Sequence, residues 1–137
     1  MKPFGFPKSE RLSSKKSIET IFLSGKSVFS FPIKAIFITD DMVGDEAPTQ
    51  ALFVVPKKRF KRAVDRNKIR RKIRENYRLK KHLLNSWCLE NNKQIKIAFI
   101  YITSEHCDYG VIEKSIEKLI IEITHNQETN TLAENSK

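Results

Sequence analysis

Arg66, Arg70, Arg74 and Arg78 recur at every fourth residue, so on a helix they stand one turn apart as a row of guanidinium groups with roughly 6 Å between neighbours. Like charges at that spacing repel, and each pair weakens an isolated helix by about 0.2–0.5 kcal/mol. A polyanion relieves the repulsion, and the planar fork of each guanidinium grips a phosphate through two parallel hydrogen bonds. The chemistry this spacing offers is therefore phosphate binding. Around the row, residues 57–81 hold fourteen Lys and Arg against Asp65 and Glu75 alone, a local balance of +12 that exceeds the +10 of the whole chain. The remaining residues sum to −2, so the positive charge is one block and not a solubilising coat. Solvated charged faces normally mix signs, because Glu placed four residues before Lys stabilises a helix. Asp65 has a local use near the start of such a helix, where a carboxylate favours the dipole.

Bond-breaking chemistry has no comparable signal. His82, His106 and His125 are scattered, and no Ser/His/Asp or Cys/His arrangement follows from their spacing. Cys88 and Cys107 lie 19 apart without a C-x-x-C or a paired histidine, which suggests neither a zinc site nor a disulfide framework. The sequence pI near 9.7 puts nucleic acid ahead of an anionic membrane or an acidic protein as partner. No run of about 18 apolar residues is present to span a bilayer, and residues 1–8, with Pro3 and Pro7, lack the apolar core of a signal peptide, so a cytoplasmic protein is expected. Between nucleic acids, a helix that reads the DNA major groove is usually set by a preceding helix across a short turn. The sequence has no such helix before the block, and an Arg row suits structured RNA, read through phosphates and shape; DNA is not expected.

The elements that must carry this block follow from the hydrophobic pattern. At 137 residues and 39% hydrophobic content the chain fits one domain with a modest core. Residues 1–10 read as a flexible arm broken by Pro3, Gly5 and Pro7. Ile18, Ile21 and Phe22 keep helical spacing between a capping Ser14 and Gly25, which predicts a helix of three turns. Residues 28–39 read as one strand or two short ones with a kink at Pro32, Ile33, Ala35 and Phe37 sharing one face while Ile36 and Ile38 share the other. Residues 40–49, with Asp40, Asp41, Gly44, Asp45, Glu46 and Pro48, read as a solvated hairpin loop. Ala51 to Val55 is a further strand that hands the chain to the basic block.

From about Val64 the positions Ile69, Ile73, Tyr77, Lys80 (by its stem) and Leu84 follow helical spacing beside the arginine row, predicting one long helix that Asn91 and Asn92 end. Residues 95–103 are apolar on both faces, as a buried central strand would be. Ile112, Ile116, Leu119, Ile120 and Ile123 define a last amphipathic helix, with Asp108 as its cap. The domain spans residues 11–126, and residues 127–137 have little to bury and read as a disordered tail. The class is α+β, helices packed on a small sheet. The strand–basic helix–strand step would be a parallel crossover, right-handed by the usual rule.

Residues 60–75 also carry a signature. Arg66, Asn67, Ile69, Arg70, Arg71, Arg74 and Glu75 fill the pattern Arg-Asn, basic, Ile, two basic residues, two variable positions, Arg-Glu, which resembles that of the bacterial ribonuclease P protein subunit. Lys57 and Lys58 after a strand, and Arg11-Leu12 followed by Ile21-Phe22 and Gly25, stand where the family has similar residues. The resemblance covers about residues 11–123. It implies a four-stranded sheet in the order α-β-β-β-α-β-α, with a left-handed crossover against the usual rule. It further implies that Lys57, Lys58, Arg62, Arg66, Asn67, Lys68, Arg70, Arg71 and Arg74 bind the catalytic ribonuclease P RNA. Ile18, Phe22, Lys34 and Phe37 would bind the single-stranded 5′ leader of precursor tRNA; Ile18 stands where many members have Phe. In the family the RNA, with magnesium ions held mainly by it, performs the cleavage that matures the tRNA 5′ end, which agrees with finding no catalytic constellation. The rival readings are a structural RNA-binding protein of ribosomal type and an autonomous nuclease. The identity of the RNA that copurifies separates the first, and activity in protein free of RNA separates the second.

Overall fold

The computed structural model describes residues 11, 12, 15–41 and 47–135, with side chains to residue 125. The first helix, α1 (Lys15–Ser24), buries Ile21. It ends where the Gly25 amide donates to the Ile21 carbonyl at 2.8 Å. The expected Ser14 cap lies outside the described residues. Gly25 is required by closeness: a Cβ there would stand 2.4 Å from the Ile21 carbonyl oxygen and 2.6 Å from Ile36 Cγ2. The apolar stretch around Pro32 resolves into two antiparallel strands, β1 (Lys26–Ser30) and β2 (Ile33–Asp41), joined through a cis Phe31–Pro32 bond. Pro32 cannot donate to a ladder, and it sits in the turn between the strands.

Strand β3 (Thr49–Val54), helix α2 (Ala63–Asn91), strand β4 (Lys93–Tyr101) and helix α3 (Tyr109–Asn135) complete the chain. The sheet order is β1-β2-β4-β3, with β3 and β4 parallel and the other pairs antiparallel. The expectation of a hairpin at residues 40–49 is corrected by this order. β2 and β3 both pair with β4 and not with each other, because the crossover through α2 returns β4 between them. β4 is thus the central strand that its two-sided apolar pattern predicted, with Ile95, Ile97, Ala98 and Phe99 fully buried.

One face of the sheet holds the main core. Ile33, Ala35 and Phe37 of β2 and Ile95, Ile97 and Phe99 of β4 meet Ile69, Ile73, Tyr77 and Leu84 of α2 and Ile112, Ile116, Leu119 and Ile123 of α3. Each such Ile, Leu or Phe side chain contributes about 1.5–3 kcal/mol by leaving water. A buried polar pair locks α2 to β3: the Tyr77 hydroxyl donates to Thr49 Oγ1 at 3.1 Å, and Thr49 Oγ1 donates to Asn85 Oδ1 at 2.7 Å. The opposite face is covered by α1 through a smaller cluster of Leu12, Ile21 and Ala98, flanked by Ile18, Ile36, Ile38 and Leu52.

One helix detail differs from the pattern. Lys81 is the buried lysine of α2, while Lys80 reaches Glu117 of α3 at 3.8 Å. α2 stops at Asn92, whose left-handed conformation (φ 54°) turns its amide back to the Cys88 carbonyl. α3 starts with the amides of Val111 and Ile112 on the Asp108 carbonyl. It runs to Asn135.

Candidate nucleic-acid interface

The basic block begins in the turn after β3 and continues along the N-terminal half of α2. Lys57 and Lys58 in the turn, Arg62 at the helix cap, and Asn67, Lys68, Arg71 and Arg74 on the helix are exposed, while Arg66 and Arg70 are half-buried. The helix buries Ile69, Ile73 and Tyr77 against the sheet, which leaves Asn67, Lys68, Arg71 and Arg74 on its exposed side. Asp65 lies in the first turn, where its charge suits the dipole.

The row of four arginines is not uniform. Arg66 Nη1 donates to the Phe60 and Lys61 carbonyls at 2.8 and 2.9 Å and so fastens the entry loop. Arg70 Nη1 donates to Asn67 Oδ1 at 2.9 Å, which holds its fork at the surface. Arg78 is ion-paired with Glu75, and its Nε also donates to Glu75 Oε2 at 3.3 Å. The hydrogen bond from Arg78 lowers the Glu75 pKa. Lys72, one of the block's fourteen cations, turns instead to the Cys107 carbonyl at 3.2 Å and ties α2 to the loop before α3. The cationic surface is therefore centred on the turn and the first turns of α2, with Arg74 as its last exposed arginine and Arg78 neutralised locally.

A second surface lies on the α1 face of the sheet. Phe22 is 47% exposed on α1. Ile18, one turn earlier, packs against the small cluster under the helix. Lys34 is half-buried on β2, on the same face as Ile36 and Ile38. Phe37 is a correction: at 1% exposure it belongs to the main core on the opposite face, because strand alternation sends odd positions of β2 toward α2 and α3. A ring enclosed there cannot receive a base.

An aromatic that sequence reasoning did not single out stands nearby. Phe29 is 57% exposed and pairs across the strands with Lys34. Lys34 in turn pairs with Ile100, and Ile100 with Val54. Phe29, Lys34, Ile100 and Val54 thus form one row across all four strands, and the row ends two residues before Pro56 and the Lys57–Lys58 turn. The available signal was alternation with the core residue Val28, unusable until the break at Pro32 fixed the register.

Among the described residues no group of three or more His, Cys, Asp or Glu could hold a metal ion, and no helix is long and apolar enough to cross a membrane. The fold and its surfaces define an α+β domain that offers a guanidinium ridge on one helix and an aromatic, lysine-bearing face on its sheet, the class of a nucleic-acid-binding protein. The family model described as Ribonuclease P matches residues 6–124. A ribonuclease P protein component from Porphyromonas gingivalis is 38% identical over 132 residues, covering 94% of this chain and 93% of that protein. One from Nitrosococcus oceani is 34% identical over 84 residues, covering 61% and 67%. In structure, the chain resembles the RNase P protein of Staphylococcus aureus (TM-score 0.65, 24% identity, 85% of this chain and 96% of that one). It also resembles that of Thermotoga maritima (TM-score 0.64, 24% identity, 81% and 94%).

The chain belongs to the bacterial ribonuclease P protein family. Its role is that of the protein subunit of ribonuclease P, an endoribonuclease of tRNA processing, and its partner is RNA; the ribosomal-type alternative is not favoured.

Proposed function

We propose that the Lys57–Lys58 turn and the ridge of α2 bind the catalytic ribonuclease P RNA, while the α1 face receives the 5′ leader of precursor tRNA. The observation that carries this reading is the division of the surface. One face gathers cations with bidentate forks, suited to a folded RNA's phosphates. The other sets exposed rings beside a lysine, suited to unpaired bases, each of which gains about 1–3 kcal/mol by stacking on an aromatic. Phe22 and Phe29 are the platforms in this reading, with Lys34 between strand neighbours as the phosphate partner. The row toward Val54 leads the leader's other end to Lys57.

Magnesium belongs to the RNA in this scheme. A surface that concentrates guanidinium groups repels a divalent cation, and the protein's contribution is to neutralise RNA phosphates that would otherwise demand magnesium. The protein alone is expected not to cleave precursor tRNA. Mixed with its RNA, it should lower the magnesium concentration needed for cleavage and tighten substrate binding. A cleavage assay across magnesium concentrations, with and without protein, checks this; RNA that gains nothing from the protein at low magnesium refutes it. Phe22→Ala and Phe29→Ala should each weaken leader-bearing substrate while sparing affinity for the catalytic RNA, read by comparing precursor with mature tRNA.

A further inference from the structure

The turn that carries Lys57 and Lys58 closes on the Pro56 carbonyl, which accepts the Arg59 amide at 3.0 Å and the Phe60 amide at 3.4 Å. Both lysines are exposed, so what fixes their place is the residue that ends the turn. Phe60 is 6% exposed, and Arg66 of α2 donates to its carbonyl. Its ring lies beside that of Tyr101 on β4, centroids 5.9 Å apart. It also meets the His106 imidazole edge to face, with centroids 4.8 Å apart.

His106 belongs to the loop between β4 and α3, and that loop is itself held. Tyr101 is fully buried, and its hydroxyl donates to the Glu105 carbonyl and accepts the Cys107 amide, the latter at 3.1 Å. Thr103 Oγ1 accepts the Glu105 amide at 3.2 Å, and Lys72 of α2 donates to the Cys107 carbonyl at 3.2 Å. The backbone on either side of His106 is therefore tied down, while its ring reaches the last residue of the basic turn. An aromatic pair in this geometry stabilises beyond the area it buries, and a loop ordered beforehand loses less freedom on association. We propose that His106 is a positioning residue for RNA binding: its ring braces Phe60 and so presets the Lys57–Lys58 turn, with the loop after β4 as the fixed support. This rests on reading that turn as RNA-facing.

A brace that touches no phosphate leaves its own pattern. With His106 truncated, the two lysines still reach their phosphates, but the turn must be ordered as it binds. Affinity then falls, while the salt slope that counts phosphate contacts stays. Hydrogen exchange of the full-length protein without RNA reads the brace first. His106→Ala should speed exchange of the Arg59 and Phe60 amides by about two- to tenfold, and His106→Phe, which restores a ring, should return it toward the parent. Filter binding of catalytic RNA across salt should show a loss of similar size in His106→Ala, an unchanged slope, and recovery in His106→Phe. Lys57→Ala with Lys58→Ala should lower the slope by about two units. In that background His106→Ala should cost nothing further, because the braced turn has lost its charges. Unchanged amide exchange or unchanged RNA affinity in His106→Ala overturns the brace. A loss that lowers the slope, persists in the double-lysine background or is not recovered by His106→Phe makes the imidazole a direct RNA contact and overturns the positioning role. The reading beneath it fails separately: if the double-lysine change alone leaves affinity and slope as they were, the turn does not face RNA, and the role of His106 toward RNA falls with it.

Discussion

A guanidinium already engaged by its own fold has less to offer a phosphate, and the four arginines of the ridge differ in this respect. Arg74 is exposed and Arg70 is steadied by a neutral amide, whereas Arg78 is paired with Glu75. Replacing Arg70 and Arg74 together by Ala should lower the slope of log affinity against log salt by about two units, one for each phosphate left without its arginine. Arg78→Ala should leave that slope nearly unchanged. Filter binding at several salt concentrations reads both, and equal effects would mean that position along the helix decides and not the local partner. At the same scale, burial pushes the Cys88 thiol up to about 11, so the folded state holds this proton more tightly than the unfolded chain. Its contribution to stability is complete below the ordinary thiol pKa near 9 and is lost as pH rises toward 11. Alkylation of Cys88 at neutral pH should therefore proceed only as fast as the protein unfolds, measured by mass spectrometry over time.

At the scale of elements, α1 seats on the sheet only because Gly25 lets its last turn approach Ile36. Gly25→Ala would force a methyl group against a backbone carbonyl, and overpacking of this kind costs about 1–3 kcal/mol. The expected result is a lower urea midpoint and a leader affinity reduced further than that of Phe22→Ala, since the whole helix shifts. An unchanged midpoint would mean that α1 relaxes freely. This element was legible from the chain: Ile18, Ile21, Phe22 and a stopping glycine predicted it. The position of Phe37 was not. The same alternation that placed Ile36 and Ile38 on one face and Phe37 on the other was visible, but which face α1 would cover is decided by contacts with Leu12 and Ala98, distant in sequence.

The whole molecule keeps its two surfaces chemically unlike, so they should respond differently to salt. A protein making about 6–10 phosphate contacts loses roughly 10³–10⁵ in affinity between 50 and 200 mM salt. Catalytic-RNA binding should approach that loss, while the leader's contribution, carried largely by stacking, should change far less. The ratio of precursor to mature tRNA affinity, measured across salt, checks this; a parallel collapse would assign both to the ridge.

The sequence by itself determined the cationic block, the periods of all three helices, the two-sided apolar strand at the centre and the family signature. Each of these is local, since charge spacing and hydrophobic period are set within one segment. Only the tertiary structure decided that β4 enters between β2 and β3 and that Phe29, not Phe37, lies on the sheet face on which α1 packs. Those outcomes depend on register and on contacts between segments tens of residues apart. No local pattern encodes them, because a one-residue slip in register sends every side chain to the other face.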